Sequence, residues 1–213
     1  LTGGGEASWR GATRLGSMPA AFMVGAIGEG ARLRSDYREV GGGPIESKST
    51  STKSTLSGYA GGRIGLTDGT TLRLNLRGDA IRIHSENALA GTSTDRRTLS
   101  ALSPFAALSQ RIGARGTAFA SFSTAFRVAT LNQLYDERPY PDFGSGPPHP
   151  ANAALDPQRS TSVELGGRFD GARGAYAALT LYSVKVRDEI DFDLATFSYA
   201  NIGKSWHRGI ELA

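Results

Sequence analysis

The chain contains no cysteine, which excludes a disulfide framework and any metal site built on thiolates. It also has no apolar run approaching the roughly 18–20 residues that a membrane-spanning helix requires. Its histidines, His84, His149 and His207, lie far apart and show none of the close spacing of a metal site. We therefore expect no metal centre and no cofactor.

Sequence signatures of catalysis are also missing. No Ser/His/Asp arrangement has usable spacing, and no nucleophile-elbow pattern occurs. The glycines of the 58–65 stretch are not followed by a Lys-Ser/Thr pair, so they do not indicate a phosphate-binding loop. The net charge is +4, but the basic residues are scattered singly rather than clustered as in nucleic-acid binders. We predict neither an enzyme nor a nucleic-acid partner.

Alternation of apolar and polar residues is the strongest positive signal. It is strict in Thr71–Arg77, where Leu72, Leu74 and Leu76 alternate with polar side chains. One face of such a strand meets an apolar medium and the other meets water. After Ala80 the apolar positions change parity, to Ile81 and Ile83, which predicts a β-bulge near residues 78–80.

This pattern predicts about nine strands. They cover residues 5–14, 20–35, 54–66, 70–84, 97–112, 116–127, 160–170, 174–190 and 198–213. Short connections alternate with long ones, and the long loops fall near residues 36–53, 85–96, 128–159 and 191–197. Many of the strands reach the ~9–11 residues that cross a bilayer at a tilt.

The predicted fold class is all-β, an antiparallel up-and-down meander that forms a partial segment of a large transmembrane β-barrel. Residues 1–213 would be one partial barrel domain. The chain begins without an initiator Met or a signal-peptide core, and it stops within an alternating strand, so we expect a fragment of a longer protein. A soluble carbohydrate-binding β-sandwich is the alternative, and it would bury Leu72, Leu74 and Leu76 against a second sheet.

Three passages in order resemble motifs of TonB-dependent outer-membrane receptors. They are Phe126-Arg127-x-x-Thr130-Leu131-x-x-Leu134-Tyr135, then Ala151-Asn152-x-x-Leu155-x-Pro157-Gln158-x-Ser160-x-Ser162-x-Glu164-x-Gly166, and finally Val186-x-Asp188-Glu189-Ile190 with Tyr199-x-Asn201-Ile202-Gly203-Lys204 and Arg208-Gly209-Ile210-Glu211-Leu212. The chain departs from the family at Ala129, where Pro is usual, and at Gln158, where Glu is usual.

The resemblance implies part of a barrel of about 22 strands in the outer membrane of a Gram-negative cell. It implies energy-coupled import of a scarce nutrient, above all a ferric siderophore. The partners implied are the lipid bilayer, the protein's own N-terminal plug domain (absent from this sequence), a periplasmic energy-transducing protein that acts through the plug, and the iron chelate. Another outer-membrane barrel, either a passive porin or an adhesin, is the alternative within the same architecture.

Two sets of residues are candidates for polar or ligand contacts. The long loop before residue 151 combines aromatic and cationic side chains suited to an anionic, aromatic chelate, and its candidate ligand-binding residues are Tyr135, Arg138, Tyr140, Phe143 and His149. A second row is expected to face the barrel lumen and to pair internally or with the plug. This row comprises Arg73, Asn75, Arg77, Asp79 and Arg82, together with Tyr59, Arg63, Glu164 and Arg168 on other strands.

Overall fold

The structure is a computed structural model that describes residues 1–38, 45–87, 92–93, 96–135, 152–196 and 198–213. In these ranges the chain forms one large antiparallel sheet in the order β1-β2-β3-β4-β6-β7-β8-β9-β12, with β5 paired to the end of β4 and a separate β10–β11 hairpin. The elements are β1 Thr2–Leu15, β2 Met18–Arg38, β3 Ile45–Gly65, β4 Thr70–Asn87, β5 Thr92–Ser93, β6 Arg97–Ile112, β7 Gly116–Arg127, α1 Leu131–Tyr135, β8 Gln158–Asp170, a 3-10 turn Ala172–Gly174, β9 Tyr176–Arg187, β10 Ile190–Asp193, β11 Ser198–Asn201 and β12 Lys204–Leu212. Neighbours in sequence are neighbours in the sheet, which confirms the predicted meander.

The sheet has two chemically different faces. Residues directly opposite one another in an antiparallel pair lie on the same face. Leu72 and Leu74 lie opposite Ile64 and Gly62 of β3 on the face that we call outer, and the other face is the inner one. Leu74 remains 47% exposed and Leu76 46% exposed, and no second sheet formed by the described residues covers them. This exposure contradicts the sandwich alternative and agrees with a barrel wall.

Strand β4 passes through residues 78–80 without a bulge. Its pairing with β3 and with β6 is continuous from Thr71 to Ile83. The predicted bulge is therefore wrong, and the change of parity has another origin. Ile81 and Ile83 lie on the inner face together with Arg77 and Asp79, whereas Arg82 lies on the outer face. Arg82 is thus not part of the lumen-facing row.

The long connections are shorter than predicted because the strands extend further. The Ser/Thr-rich stretch of the expected 36–53 loop is mostly strand, and it pairs from Lys48 to Lys53 with the end of β2. Its β-branched threonines favour an extended backbone, while Ser49 and Ser51 become buried on the inner face. Of the expected 191–197 loop, residues 191–193 belong to strand β10, which pairs with β11 from Ile190 opposite Asn201, and residues 194–196 form a turn.

The predicted alternation of short and long connections is confirmed in the described residues. Residues 16–17, 66–69, 113–115 and 171–175 join strands at one end of the sheet, which we call the short-turn end. Gly16 and Gly113 take positive φ angles in two of these turns, a conformation that glycine adopts without steric cost. The longer connections gather at the opposite, long-loop end. None of the helices in the described ranges is long and apolar enough to cross a membrane.

Candidate functional site

A compact apolar cluster covers the inner face at the long-loop end. Its buried members are Ile81, Ile83, Ala129, Leu134, Tyr135, Leu155 and Ile190, and we call it the mouth cluster. Ile81 and Ile83 come from the wall, whereas Leu134 comes from the loop after β7 and Leu155 from the segment before β8. The loop therefore folds inward and packs on the wall, which explains why β4 presents apolar residues to its inner face here.

Helix α1 begins the inward fold with a capping box. The Thr130 N–H donates to Gln133 Oε1 at 3.0 Å, and the Gln133 N–H donates to Thr130 Oγ1 at 3.3 Å. This reciprocal pair satisfies two backbone donors that would otherwise have no partner at the helix start. Since five residues are too few to form a stable helix alone, burial of Leu134 and Tyr135 holds the turn in place.

Arg97 binds the C-terminal end of the same loop and holds it against the wall. One of its terminal nitrogens donates to Leu155 O at 2.6 Å and to Ala153 O at 3.0 Å, and the other donates to Asp156 Oδ1 at 3.0 Å. Arg97 lies directly opposite Ile83 on the inner face. A planar guanidinium suits several acceptors at fixed angles, so we call this arrangement the Arg97 clamp.

Asparagine side chains join the loop to the β10–β11 hairpin. Asn201 Nδ2 donates to Asp156 O at 3.0 Å and to Asp188 O at 2.8 Å, while the Asp156 N–H donates to Asn201 Oδ1 at 2.8 Å. Asn152 Nδ2 donates to Tyr199 O at 2.8 Å. Each amide satisfies backbone groups that have no ladder partner. The segment at 152–156 is therefore held between wall and hairpin.

Gln158 and Arg127 close the site where β7 and β8 end. Arg127 donates to Gln158 Oε1 and to Ile190 O, both at 3.2 Å, and Gln158 Oε1 also accepts from the Ile190 N–H at 3.3 Å. The amide oxygen of Gln158 thus serves both donors. The departure from the family's usual Glu leaves this junction intact.

A polar group lies below the mouth cluster on the inner face. Ser57 Oγ donates to Asp79 Oδ1 at 2.6 Å, and Arg77 donates to both carboxylate oxygens of Asp79 at 2.9 and 3.1 Å and to Ser57 Oγ at 2.9 Å. Ser57 and Asp79 are buried. The expected internal pairing of the lumen-facing row is confirmed for Arg77 and Asp79. Arg73 and Asn75 lie on the same face, and within the part of the chain that the structure describes Arg73 forms no ion pair.

Tyr59 ties three strands together on the same face. Its ring lies over Gly25 of β2, where a Cβ would approach the ring carbons to 2.4 Å. This leaves room for the hydroxyl to reach across β2 and donate to Glu6 of β1. A glycine covered by an aromatic ring regains the packing that its missing side chain lacks.

The hairpin turn carries a carboxylate with a displaced pKa. The backbone N–H of Ala195 and the hydroxyl of Thr196 donate to Asp193 and lower the pKa of that carboxyl. Within the part of the chain that the structure describes, no three potential metal-ligating side chains come together. His84 pairs with Glu86 at 3.0 Å, and His207 lies 3.1 Å from Ser205 Oγ.

The candidate ligand-binding residues fall in two groups. Tyr135 is 7% exposed and belongs to the mouth cluster. Arg138, Tyr140, Phe143 and His149 lie outside the described residues, and their role stays a prediction. Sequence reasoning missed the Arg97 clamp because an isolated arginine at a strand start has no motif. Asn152, Gln158 and Asn201 were quoted as family motif positions, and the structure shows what they bind.

Comparison with known proteins agrees with this architecture. Residues 4–213 match the family model described as TonB dependent receptor-like, beta-barrel. No curated protein sequence matches the chain significantly. Similar solved structures include the hemophore receptor HasR of Serratia marcescens in complex with its hemophore HasA and heme, at 18% identity and TM-score 0.75, covering 99% of this chain and 38% of that one.

Two further solved structures show the same likeness. The ferric citrate transporter FecA has 17% identity and TM-score 0.74, with 99% of this chain and 31% of that chain covered. The copper transporter OprC has the same identity and TM-score, with 99% and 33% covered. At such low identity the likeness shows the fold alone, and the chain spans about a third of the length of the structures that it matches.

The family match extends over nearly the whole chain, and the sheet order, the outward leucines and the alternating connections are those of a barrel wall. The family consists of receptors and transporters rather than enzymes. The chain belongs to the TonB-dependent receptor family, as a partial segment of its β-barrel.

Proposed function

We propose that this barrel segment belongs to an energy-coupled outer-membrane transporter that imports a metal chelate, with a ferric siderophore as the first candidate. The observation that carries the proposal is the inward fold of the β7–β8 loop, whose two ends are fixed to the inner wall by the mouth cluster and the Arg97 clamp. The described ends of this connection, residues 128–135 and 152–157, are thereby held at the long-loop end of the wall. Anchoring a binding segment at its ends reduces the entropy that is lost on binding.

The cargo class is supported by the relatives together rather than by any one of them. The similar structures named above are those of a ferric citrate transporter, a hemophore receptor with its hemophore and heme, and a copper transporter. A metal or its complex is common to all three. We propose that Arg138, Tyr140, Phe143 and His149 contact the chelate, and that Tyr135 supports them from the mouth cluster.

The proposed location is the outer membrane, with the outer-face leucines against lipid. The proposed partners are the lipid bilayer, a plug domain of the same receptor, and a periplasmic energy-transducing protein that acts on the plug. The length of β2, 21 residues, exceeds the ~9–11 residues needed to cross a bilayer. Its extra length would carry the long-loop end beyond the membrane surface.

Uptake measurements test the proposal. Cells that contain or lack the complete receptor would be starved of iron and given a panel of ferric chelates, including a catecholate, a hydroxamate and citrate. We expect one chelate class to accumulate only with the receptor, and accumulation to stop when the proton-motive force is collapsed. Uptake that persists without the proton-motive force would favour a passive porin, and no uptake of any chelate would favour an adhesin.

A further inference from the structure

A row of three cations crosses the outer face at the long-loop end of β8, β9 and β12. Arg159 lies directly opposite Arg187, and Arg187 lies directly opposite Lys204. Neighbouring strands lie about 4.8 Å apart, so the three backbone positions fall within about 10 Å of one another. We call these three residues the cationic row. All three are exposed.

The parity of each strand places the cationic row above the lipid-facing band. Arg159 shares its face with Val163 and Leu165, Arg187 with Leu179 and Leu181, and Lys204 with Ile210 and Leu212. Side chains two apart along a strand point to the same face. The six apolar residues are between 41% and 80% exposed. The outer face therefore changes from apolar to cationic along the same three strands.

A tryptophan and two further cations lie at this boundary. Trp206 lies opposite Lys185, whose ammonium is 4.8 Å from the indole centroid, and the Arg208 guanidinium is 5.0 Å from it. Indole rings favour the level where acyl chains meet headgroups. Lys185 and Arg208 lie at that level as well. Together with the cationic row and Trp206 they form a surface that we call the patch, with five cations around one aromatic ring.

The patch lacks an acidic counterpart in the described ranges. The ion pairs within those ranges are Arg77–Asp79, His84–Glu86, Arg97–Asp156 and Arg168–Asp170, and none includes a cation of the patch. The nearby Glu189 accepts a hydrogen bond from Ser205 on the opposite face. Asp188 is exposed and follows Arg187 directly, but one carboxylate does not offset five cations. Like charges directly opposite across strands are destabilising.

We propose that this patch binds the phosphate groups of a lipid headgroup in the leaflet at the long-loop end, with the acyl chains of that lipid on the apolar band below. Phosphate oxygens accept hydrogen bonds from guanidinium and ammonium groups and remove the repulsion within the cationic row. A headgroup with two phosphates suits a row about 10 Å long. The inference rests on the membrane location proposed above, and it concerns a lipid rather than the transported cargo.

Lipid retention by the complete receptor tests the site. The receptor would be placed in nanodiscs of phosphatidylcholine mixed with diphosphorylated lipid A, extracted with mild detergent, and examined by native mass spectrometry. We expect wild type to retain lipid A and the triple variant Arg159→Gln, Arg187→Gln, Lys204→Gln to bind it about a hundredfold more weakly, at about fivefold for each cation lost near an anionic surface.

Two control variants test whether lipid retention depends on the charge of the cationic row and on its position on the outer face. Arg159→Lys, Arg187→Lys, Lys204→Arg keeps every charge and should retain lipid A. Arg10→Gln, Arg63→Gln, Arg111→Gln removes three exposed cations of the inner face, which cannot reach lipid, and should also retain it. The strand signal in circular dichroism identifies any variant that fails to fold.

Three outcomes would overturn the proposal. They are equal retention by wild type and the triple Gln variant, equal loss from the inner-face control, and complete displacement of lipid A by inorganic phosphate, which would indicate a site for a free anion. Retention is measured without a transported chelate. The lipid-retention result can therefore be interpreted even if the uptake experiment fails, and the uptake result can be interpreted even if no lipid is retained.

Discussion

The two halves of strand β4 place their apolar side chains on opposite faces of the sheet. In the half near the short turns, leucines point outward and Arg73, Asn75 and Arg77 point inward. In the half near the long loops, Ile81 and Ile83 point inward while Arg82 points outward. The backbone register does not change, so the surroundings must. Near the short turns the leucines of the outer face are exposed, as expected of a surface that faces lipid, whereas near the long loops the inner face is covered by other parts of the chain.

Replacing Ile83 tests the upper half and should give the largest effect. Ile83 is 1% exposed in the mouth cluster. Ile83→Ala removes buried methyl groups and leaves a cavity, so we expect unfolding to cost about 2–5 kcal/mol less. Urea unfolding of the receptor in lipid vesicles measures this. Arg82→Ala, the adjacent outward position, should change stability by less than about 0.5 kcal/mol. A larger effect at Arg82 than at Ile83 would restore the bulge hypothesis.

A charge on the lower outer face should have the next largest effect. Leu74→Arg would place a guanidinium among the outward leucines, and such a charge costs about 2–4 kcal/mol near the middle of a bilayer. The matched control is Asn75→Arg, which adds the same group to the inner face and should cost much less. Refolding yield into vesicles, compared between the two variants, is the measurement. Equal yields would argue that the leucines do not face lipid.

Removing the Arg97 clamp should loosen the loop without unfolding the wall. Arg97→Ala eliminates three hydrogen bonds, one of them to a carboxylate, and a hydrogen bond that involves a charged group contributes about 1.5–3 kcal/mol net of its competition with water. Hydrogen exchange of the backbone amides at 152–158 should accelerate, and that of the β3–β4 amides should not. Arg97→Lys should recover only part of the protection, because an ammonium cannot replace the guanidinium geometry.

Acidification should have the smallest effect on the β10–β11 turn. The pKa of Asp193 is lowered by the Ala195 N–H and the Thr196 hydroxyl. A carboxyl whose pKa is lower in the folded state adds stability above its unfolded pKa, and that stability is lost as pH falls through the folded value. Amide exchange at 190–201 should therefore increase only at a pH below the ordinary Asp value. Asp193→Asn should remove this pH dependence.

The periodicity of the sequence predicted the half of the wall near the short turns well and the half near the long loops poorly. In Thr71–Arg77 each face of the strand has uniform surroundings, so the alternation of apolar and polar residues predicts the two faces correctly. Beyond Asp79 the same reasoning produced a bulge, because it assumed that the apolar side of a strand stays on one face. That assumption fails here, because a loop distant in the sequence folds onto the inner face of the strand. The mouth cluster brings Ile83 together with Leu134 and Leu155 of that loop, and no local pattern records such a long-range contact.

The candidate site was predicted in the same uneven way. The family motifs gave Asn152, Gln158 and Asn201 as positions of interest, but their hydrogen bonds to the backbone of other segments appear only in three dimensions. Arg97 had no signal of its own, since a single basic residue at a strand start is common. Tyr135 was expected as a contact for ligand from its aromatic ring, and its burial depends on packing against wall residues.

The anchorage of the β7–β8 loop has a consequence for engineering. The contacts that fix its two described ends, Tyr135 in the mouth cluster and Asn152 at the hairpin, are made with other described residues of the wall and the hairpin. We therefore expect a replacement of residues 136–151 that spans these two points to leave those contacts in place. The segment is a natural grafting position, at which a barrel of this kind could exchange one recognition surface for another.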